Sequence, residues 1–224
     1  VRRGELGWAI DFQRFDSAAD AELYQLPFEH INKSVKPIKT DPSRTKREGY
    51  RANWWRFSEG RPSIRRWLSE GRRYIATPKV SRHRLFVWQP SSILPDNLVI
   101  AILREDDTAF GIVSGKPHVL WSIAKGAWIG VGNDPTYTPT SSFETYPFPE
   151  GLTPDIPAAQ YASDPRATAI ADAARRLDEL RGNWLNPADL VMRVPEVVPT
   201  AEQRAAGARP IYPDRILPVD DKAA

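Results

Sequence analysis

The chain has 224 residues, 41% of them apolar and 26% charged, which suits one large domain with a buried core and argues against global disorder. It has no cysteine, which excludes disulfides and thiolate metal sites, and His30, His83 and His118 are too scattered to suggest a zinc site. The net charge of +3 hides a segregation: residues 33–84 hold sixteen Lys and Arg against four Asp and Glu, while the remainder holds fifteen against twenty-four. Such a stretch fits either a polyanionic partner on one face or a solvated surface with ordinary ion pairs.

In chain order, residues 8–12 read as a short strand, and Ser17 offers an N-cap for a helix over 18–24. Residues 29–35 suggest a second helix stopped by Pro37, and 40–49 an exposed basic loop. Pro62 suits a first helical position and Gly71 the position past a helix end. Between them Ile64, Trp67 and Leu68 form one apolar stripe, with Arg61 and Arg65 on another side and Arg66 flanking them.

Three strand-like runs follow, at 74–77, 85–88 and 98–103. A polar, basic connector over 78–84 joins the first two. The third is continuously apolar, which predicts a central strand buried on both faces. Asp106 or Asp107 caps a helix that carries Phe110, Ile112 and Val113; Gly115-Lys116-Pro117 interrupts it, and another helix runs on to about residue 124. Residues 127–131 suggest a strand, 130–139 a turn-rich loop, 141–149 an extended segment and 151–162 a linker. Asp164-Pro165 opens the clearest helix, 164–185, with Ile170, Ala173, Ala174, Leu177, Leu180 and Trp184 sharing a face. Residues 193–224 are expected to wander over the surface.

The familiar catalytic patterns are missing. No glycine-rich turn follows a strand, there is no Gly-x-Ser-x-Gly, and Gly130-Val131-Gly132 lacks a third glycine. Asp106-Asp107 and Asp220-Asp221 are explained by capping or solvated charge. Three features nonetheless point together towards nucleic acid: the arginine-bearing helix near 61–68, the connector Lys79-Val80-Ser81-Arg82-His83-Arg84, and the turn at 130–138. Arg61, Arg65, Arg66 and Lys79 could neutralise phosphates; Arg can also grip guanine, Asn adenine, and a carboxylate the cytosine amino group. A charged hairpin connection and a plain turn are the competing explanations. Trp54, Trp55, Trp67, Trp88, Trp121 and Trp128 are expected in the core rather than as stacking platforms.

Several strings carry a family resemblance. They are Trp55-Arg56-Phe57, the run from Arg73 to Trp88, Leu94-Pro95-Asp96, Trp128-Ile129-Gly130-Val131-Gly132-Asn133-Asp134-Pro135, Tyr137-Thr138-Pro139-Thr140, and above all Phe143-Glu144-Thr145-Tyr146-Pro147-Phe148-Pro149. Trp8-x-Ile10-Asp11-Phe12 and Asp178-Glu179-Leu180-Arg181 extend the likeness towards both ends. Together they resemble the target-recognition region of type IIL (MmeI-like) restriction-modification enzymes and related phage-defence methyltransferases.

The resemblance implies a bacterial, cytoplasmic parent enzyme that uses S-adenosylmethionine to methylate the exocyclic amine of adenine in double-stranded DNA. Its methyltransferase domain would precede Val1. The catalytic Asn/Asp-Pro-Pro-Tyr/Phe motif is absent here, so the fragment itself is expected to be non-catalytic and to hold no cofactor. By position, the resemblance assigns base reading to Ser81, Arg82, His83, Arg84, Gly132, Asn133, Asp134 and Thr136. The expected fold is α+β, a mixed sheet flanked by helices. Residues 1–49 would connect to the methyltransferase domain, 50–150 would form the recognition domain, and 151–224 a linker, support helix and tail. No membrane partner is expected. The rival readings are a non-catalytic protein-interaction module with a basic docking face, and a complete small enzyme.

Overall fold

The computed structural model describes residues 7–129, 134–198, 200–205 and 212–219, without the side chains of 203 and 204. The chain forms two compact units, 1–63 and 64–224.

In the first unit, Ser17 caps α1 (Ala18–Glu22) by accepting a hydrogen bond from the Asp20 amide at 3.2 Å. The next helix, α2 (Gln25–Ser34), starts earlier than its sequence suggests, and Pro37 does not simply end it. Proline lacks an amide proton, which suits a first turn, and Pro37 lies in the first turn of a separate short helix, α3 (Lys36–Lys39). A fourth, α4 (Glu48–Ala52), forms at the end of the basic loop. Phe12, Ala21, Phe28, Ile31 and Trp55 form the buried core. Residues 8–12 form no strand, and the Asp11 carboxylate accepts from the Gln13 amide at 2.9 Å, turning the chain. Helix α5 (Pro62–Ser69) crosses from the first unit into the second.

The second unit contains a three-stranded sheet of β1 (Tyr74–Pro78), β2 (Val87–Gln89) and β3 (Val99–Ile102), in the order β2-β1-β3. Every described strand pairing is antiparallel, so the α+β class stands while the expected mixed sheet does not. The centre is β1, whose residues from Tyr74 to Thr77 are all buried. The apolar β3 is an edge strand and mostly half-buried, contrary to its sequence pattern, because β1 occupies the centre of the sheet.

Asp106 caps α6 (Asp107–Ser114), accepting from the Ala109 amide at 2.8 Å. Lys116-Pro117 open α7 (Lys116–Lys125). A small ladder follows, β4 (Trp128–Ile129) with β5 (Asp134–Pro135). A π-helical turn, Pro139–Phe143, stands where an extended segment is expected. The long helix α8 (Pro165–Leu185), capped by Asp164, packs on α6. A Cβ added at Gly111 would lie 2.6 Å from Ile170 Cγ2 and 3.1 Å from Ala174 Cβ, so this crossing depends on glycine. The contact face holds Ala167, Ile170 and Ala174, whereas Ala173, Leu180 and Trp184 are exposed, because the close approach selects small side chains.

Residues 151–162 are no linker. Leu152 and Tyr161 are buried with Ile112 and Ala167, and a 3-10 turn, Ala158–Gln160, precedes Tyr161. Arg104 fastens the segment: its guanidinium donates to Pro154 O at 2.8 Å, Ile156 O at 2.9 Å, the Tyr161 hydroxyl and Asp106 Oδ2. Beyond α8 the chain is not formless either, since β6 (Val191–Val194) pairs with β7 (Arg215–Pro218), with α9 (Ala201–Ala205) between them. Among the described residues no helix is long and apolar enough to cross a membrane.

Candidate nucleic-acid interface

β1 runs out into the basic connector, and the connector does not float free. The Lys79 amide donates to Leu98 O at 2.6 Å, and Lys79 O accepts from the Tyr137 amide at 2.7 Å. Val80 bridges Thr136, and the Ser81 amide donates to Pro135 O at 3.3 Å. The Thr136 amide in turn donates to Ala127 O at 2.7 Å. Three backbone lines therefore lie side by side: the connector at 79–81, the segment 134–137, and β4. Two of the three features singled out in the sequence, the connector and the latter part of the turn, come together here. Gly132 and Asn133 lie outside the described residues.

The candidate residues then divide by exposure. Lys79, Arg82 and His83 are exposed, and Ser81 is half-buried with its hydroxyl donating to His83 O at 2.8 Å. Neither Lys79 nor Arg82 has an ion-pair partner among the described residues. Asp134 is half-buried in β5, opposite Ile129.

Arg84 and Thr136 require correction. Arg84 is only 5% exposed, and its guanidinium donates to Thr77 Oγ1 at 3.1 Å, to Pro78 O, and to Pro135 O at 3.0 Å. It also lies 5.2 Å from the Tyr137 ring centre. Burial holds its pKa below the usual arginine value. Buried, and with three of its five N–H donors on internal oxygens, this side chain is not presented to a base edge, so Arg84 is a brace between the connector and the 134–137 segment. Thr136 is likewise buried, its hydroxyl donating to Ala127 O at 2.9 Å. Nothing in the sequence signals this for Arg84, since Leu85, Phe86 and Val87 are all apolar; the alternation that buries Arg84 and Phe86 and exposes Leu85 and Val87 is visible only in the fold.

The arginine helix joins the other end of β1. Trp67 Nε1 donates to Arg73 O at 3.0 Å, tying α5 to the strand's start, whereas the connector leaves from its finish. Arg65 is half-buried, Arg66 is exposed, and Arg61 belongs to the 1–63 unit. Arg65 and Arg66 thus lie on the helix tied to the start of β1, whereas Lys79 follows its finish.

Behind the connector lies a buried aromatic group that sequence reading did not mark. The His118 ring is fully buried, with Nδ1 2.8 Å from Val113 O and Nε2 3.2 Å from the Tyr137 hydroxyl. Burial chiefly, and the Arg84 charge secondarily, keep His118 below its ordinary pKa; burial raises that of Tyr137. Tyr146 and Phe148, from the string Phe143-Glu144-Thr145-Tyr146-Pro147-Phe148-Pro149, pack against the His118 ring at centroid distances of 4.7 and 6.4 Å. No local signal identifies His118 as central, because its partners come from distant parts of the chain.

The chain matches no protein-family model, no curated protein and no solved structure. Its chemistry has to be judged from the residues. Among those described, no three His, Asp or Glu side chains gather as a cation site requires. A cavity of about 340 Å³ in the first unit is lined by Trp8, Phe12, Phe15, Tyr24 and Pro27, with Asp11 as its one carboxylate. The arrangement around the connector can neutralise phosphates and present donors to base edges.

Proposed function

We propose that this chain is the sequence-reading part of an S-adenosylmethionine-dependent DNA methyltransferase that modifies the exocyclic amine of adenine. It would serve a bacterial restriction-modification or phage-defence system and act with the methyltransferase domain of the same parent chain, in the cytoplasm. One observation carries the reading: an exposed basic connector is fastened, by Arg84 and by backbone pairing, beside the segment 134–137. The strings that carry the family resemblance supply the connector, that segment and the aromatic group behind them.

In this reading Lys79 lies against the phosphate backbone and contributes affinity without sequence preference. Arg82 and His83 point into solvent from a braced backbone and meet base edges. The described residues neither hold a methyl donor nor transfer a methyl group; they bind and orient the duplex so that an extruded adenine reaches the partner domain.

Binding of the full chain to short random-sequence duplexes tests this. At about 50 mM salt the duplex should bind, and log affinity should fall linearly with log salt. Arg82→Ala should weaken binding to a selected site by ~1–3 kcal/mol and relax preference at one position. A uniform loss on every duplex, with the salt slope reduced by about one, would make Arg82 a phosphate contact. No binding at low salt would favour a protein-interaction module with a basic docking face.

A further inference from the structure

Trp128 is 55% exposed and Ile129 equally so, on a strand whose partner residues Pro135 and Asp134 are buried and half-buried. A large aromatic side chain at such a position leaves apolar surface in water and is contrary to its expected place in the core. Its backbone is fixed. A Cβ at Gly126 would lie 2.3 Å from Thr136 O and 2.9 Å from Ser122 O, so the chain entering β4 is pressed against the 134–137 segment. Trp128 pairs with Pro135, and Pro135 O accepts from the Ser81 amide. At about 4.8 Å per strand spacing, the Trp128 backbone lies about 10 Å from the connector that carries Lys79 and Arg82.

Exposed cations and an exposed aromatic edge thus share one rigid three-line ladder. The cations match the phosphates of a nucleic acid, and an indole face matches the π-face of any base, which gives the apolar edge a partner of definite chemistry. Resting on the DNA-reading function proposed above, we infer that Trp128 stacks on a base exposed where the duplex is opened, with Ile129 filling the space beside it. The indole would replace the stacking that the opened base loses, while the connector holds the flanking backbone.

The test uses the full chain and two short duplexes, one fully paired and one carrying a single mismatch. Opening a mismatched step costs less, so the wild type should bind the mismatched duplex several-fold more tightly. Trp128→Ala should abolish that preference and weaken binding by about tenfold or more, with an unchanged salt slope. Trp128→Phe should restore most of both, and Trp184→Ala, which alters another exposed tryptophan, should change neither. Wild-type binding together with an unaffected Trp128→Ala variant would overturn this inference alone. So would a fall in salt slope with affinity, because the cations would then have moved. A wild type that ignores DNA would overturn the DNA-reading function itself and this inference with it. Self-association abolished by Trp128→Ala, with DNA affinity unchanged, would assign the edge to a second copy of the chain.

Discussion

The two ends of β1 carry similar residues in opposite circumstances. At its start, Arg72 pairs with Glu70 and Glu105, and Arg73 with Asp107 at 2.7 Å; the two guanidinium groups lie 3.3 and 3.8 Å from the Trp67 and Trp88 ring centres. At its finish, Lys79 and Arg82 stand in solvent, and Arg84 is buried against neutral oxygens with no carboxylate hydrogen-bonded to it among the described residues. Cations at the first end are neutralised within the fold, while those at the second leave positive charge for something outside. Residue counting cannot distinguish these cases, since the acids that quench Arg72 and Arg73 include two from beyond the basic stretch, at 105 and 107.

The sharpest way to break the contrast is Arg84→Ala. It strands Pro78 O and Pro135 O beside a cavity, so denaturant unfolding should show a loss of about 2–4 kcal/mol. A loss under about 1 kcal/mol would mean that Arg84 is no brace. A smaller effect is expected from His118, which stands behind the same end. It is neutral in the fold and has its ordinary value when unfolded, so protons favour the unfolded chain. Stability should be flat above about pH 7 and fall as pH drops below about 6.5, by at most ~1.4 kcal/mol per pH unit, until the lowered folded value is reached. His118→Gln should flatten that portion of the curve. The smallest effect belongs to the neutralised end. Arg73→Ala should cost about 1 kcal/mol or less, because the pair is partly exposed and Asp107 keeps Arg175 at 3.1 Å. It should leave DNA affinity and its salt slope unchanged; a lower slope would show that both ends face the polyanion.

Signals confined to a few neighbouring residues were legible in the sequence. Ser17, Asp106 and Asp164 cap the helices they announce, and Gly71 takes the positive φ that its place after α5 demands. What depends on distant partners was not. The apolar β3 became an edge because buried β1 already occupies the centre, and Thr77 could lie there because its hydroxyl donates to Leu85 O at 2.8 Å. The supposed linker at 151–162 was packed down by Arg104, about fifty residues earlier in sequence. At the candidate site the connector and the 134–137 segment marked in the sequence lie side by side, but exposure separates Arg82 from Arg84 and removes Trp128 from the core.

Ala127 O receives both the amide and the hydroxyl of Thr136. The β4–β5 ladder is therefore clasped by the residues that flank it, Ala127 and Thr136. Such a clasp fixes the register through groups outside the two strands, so the side chains at 128 and 129 can be exchanged without loosening it. If the chain reads DNA as proposed, exchange at those two positions would alter what it touches without changing how the ladder is held.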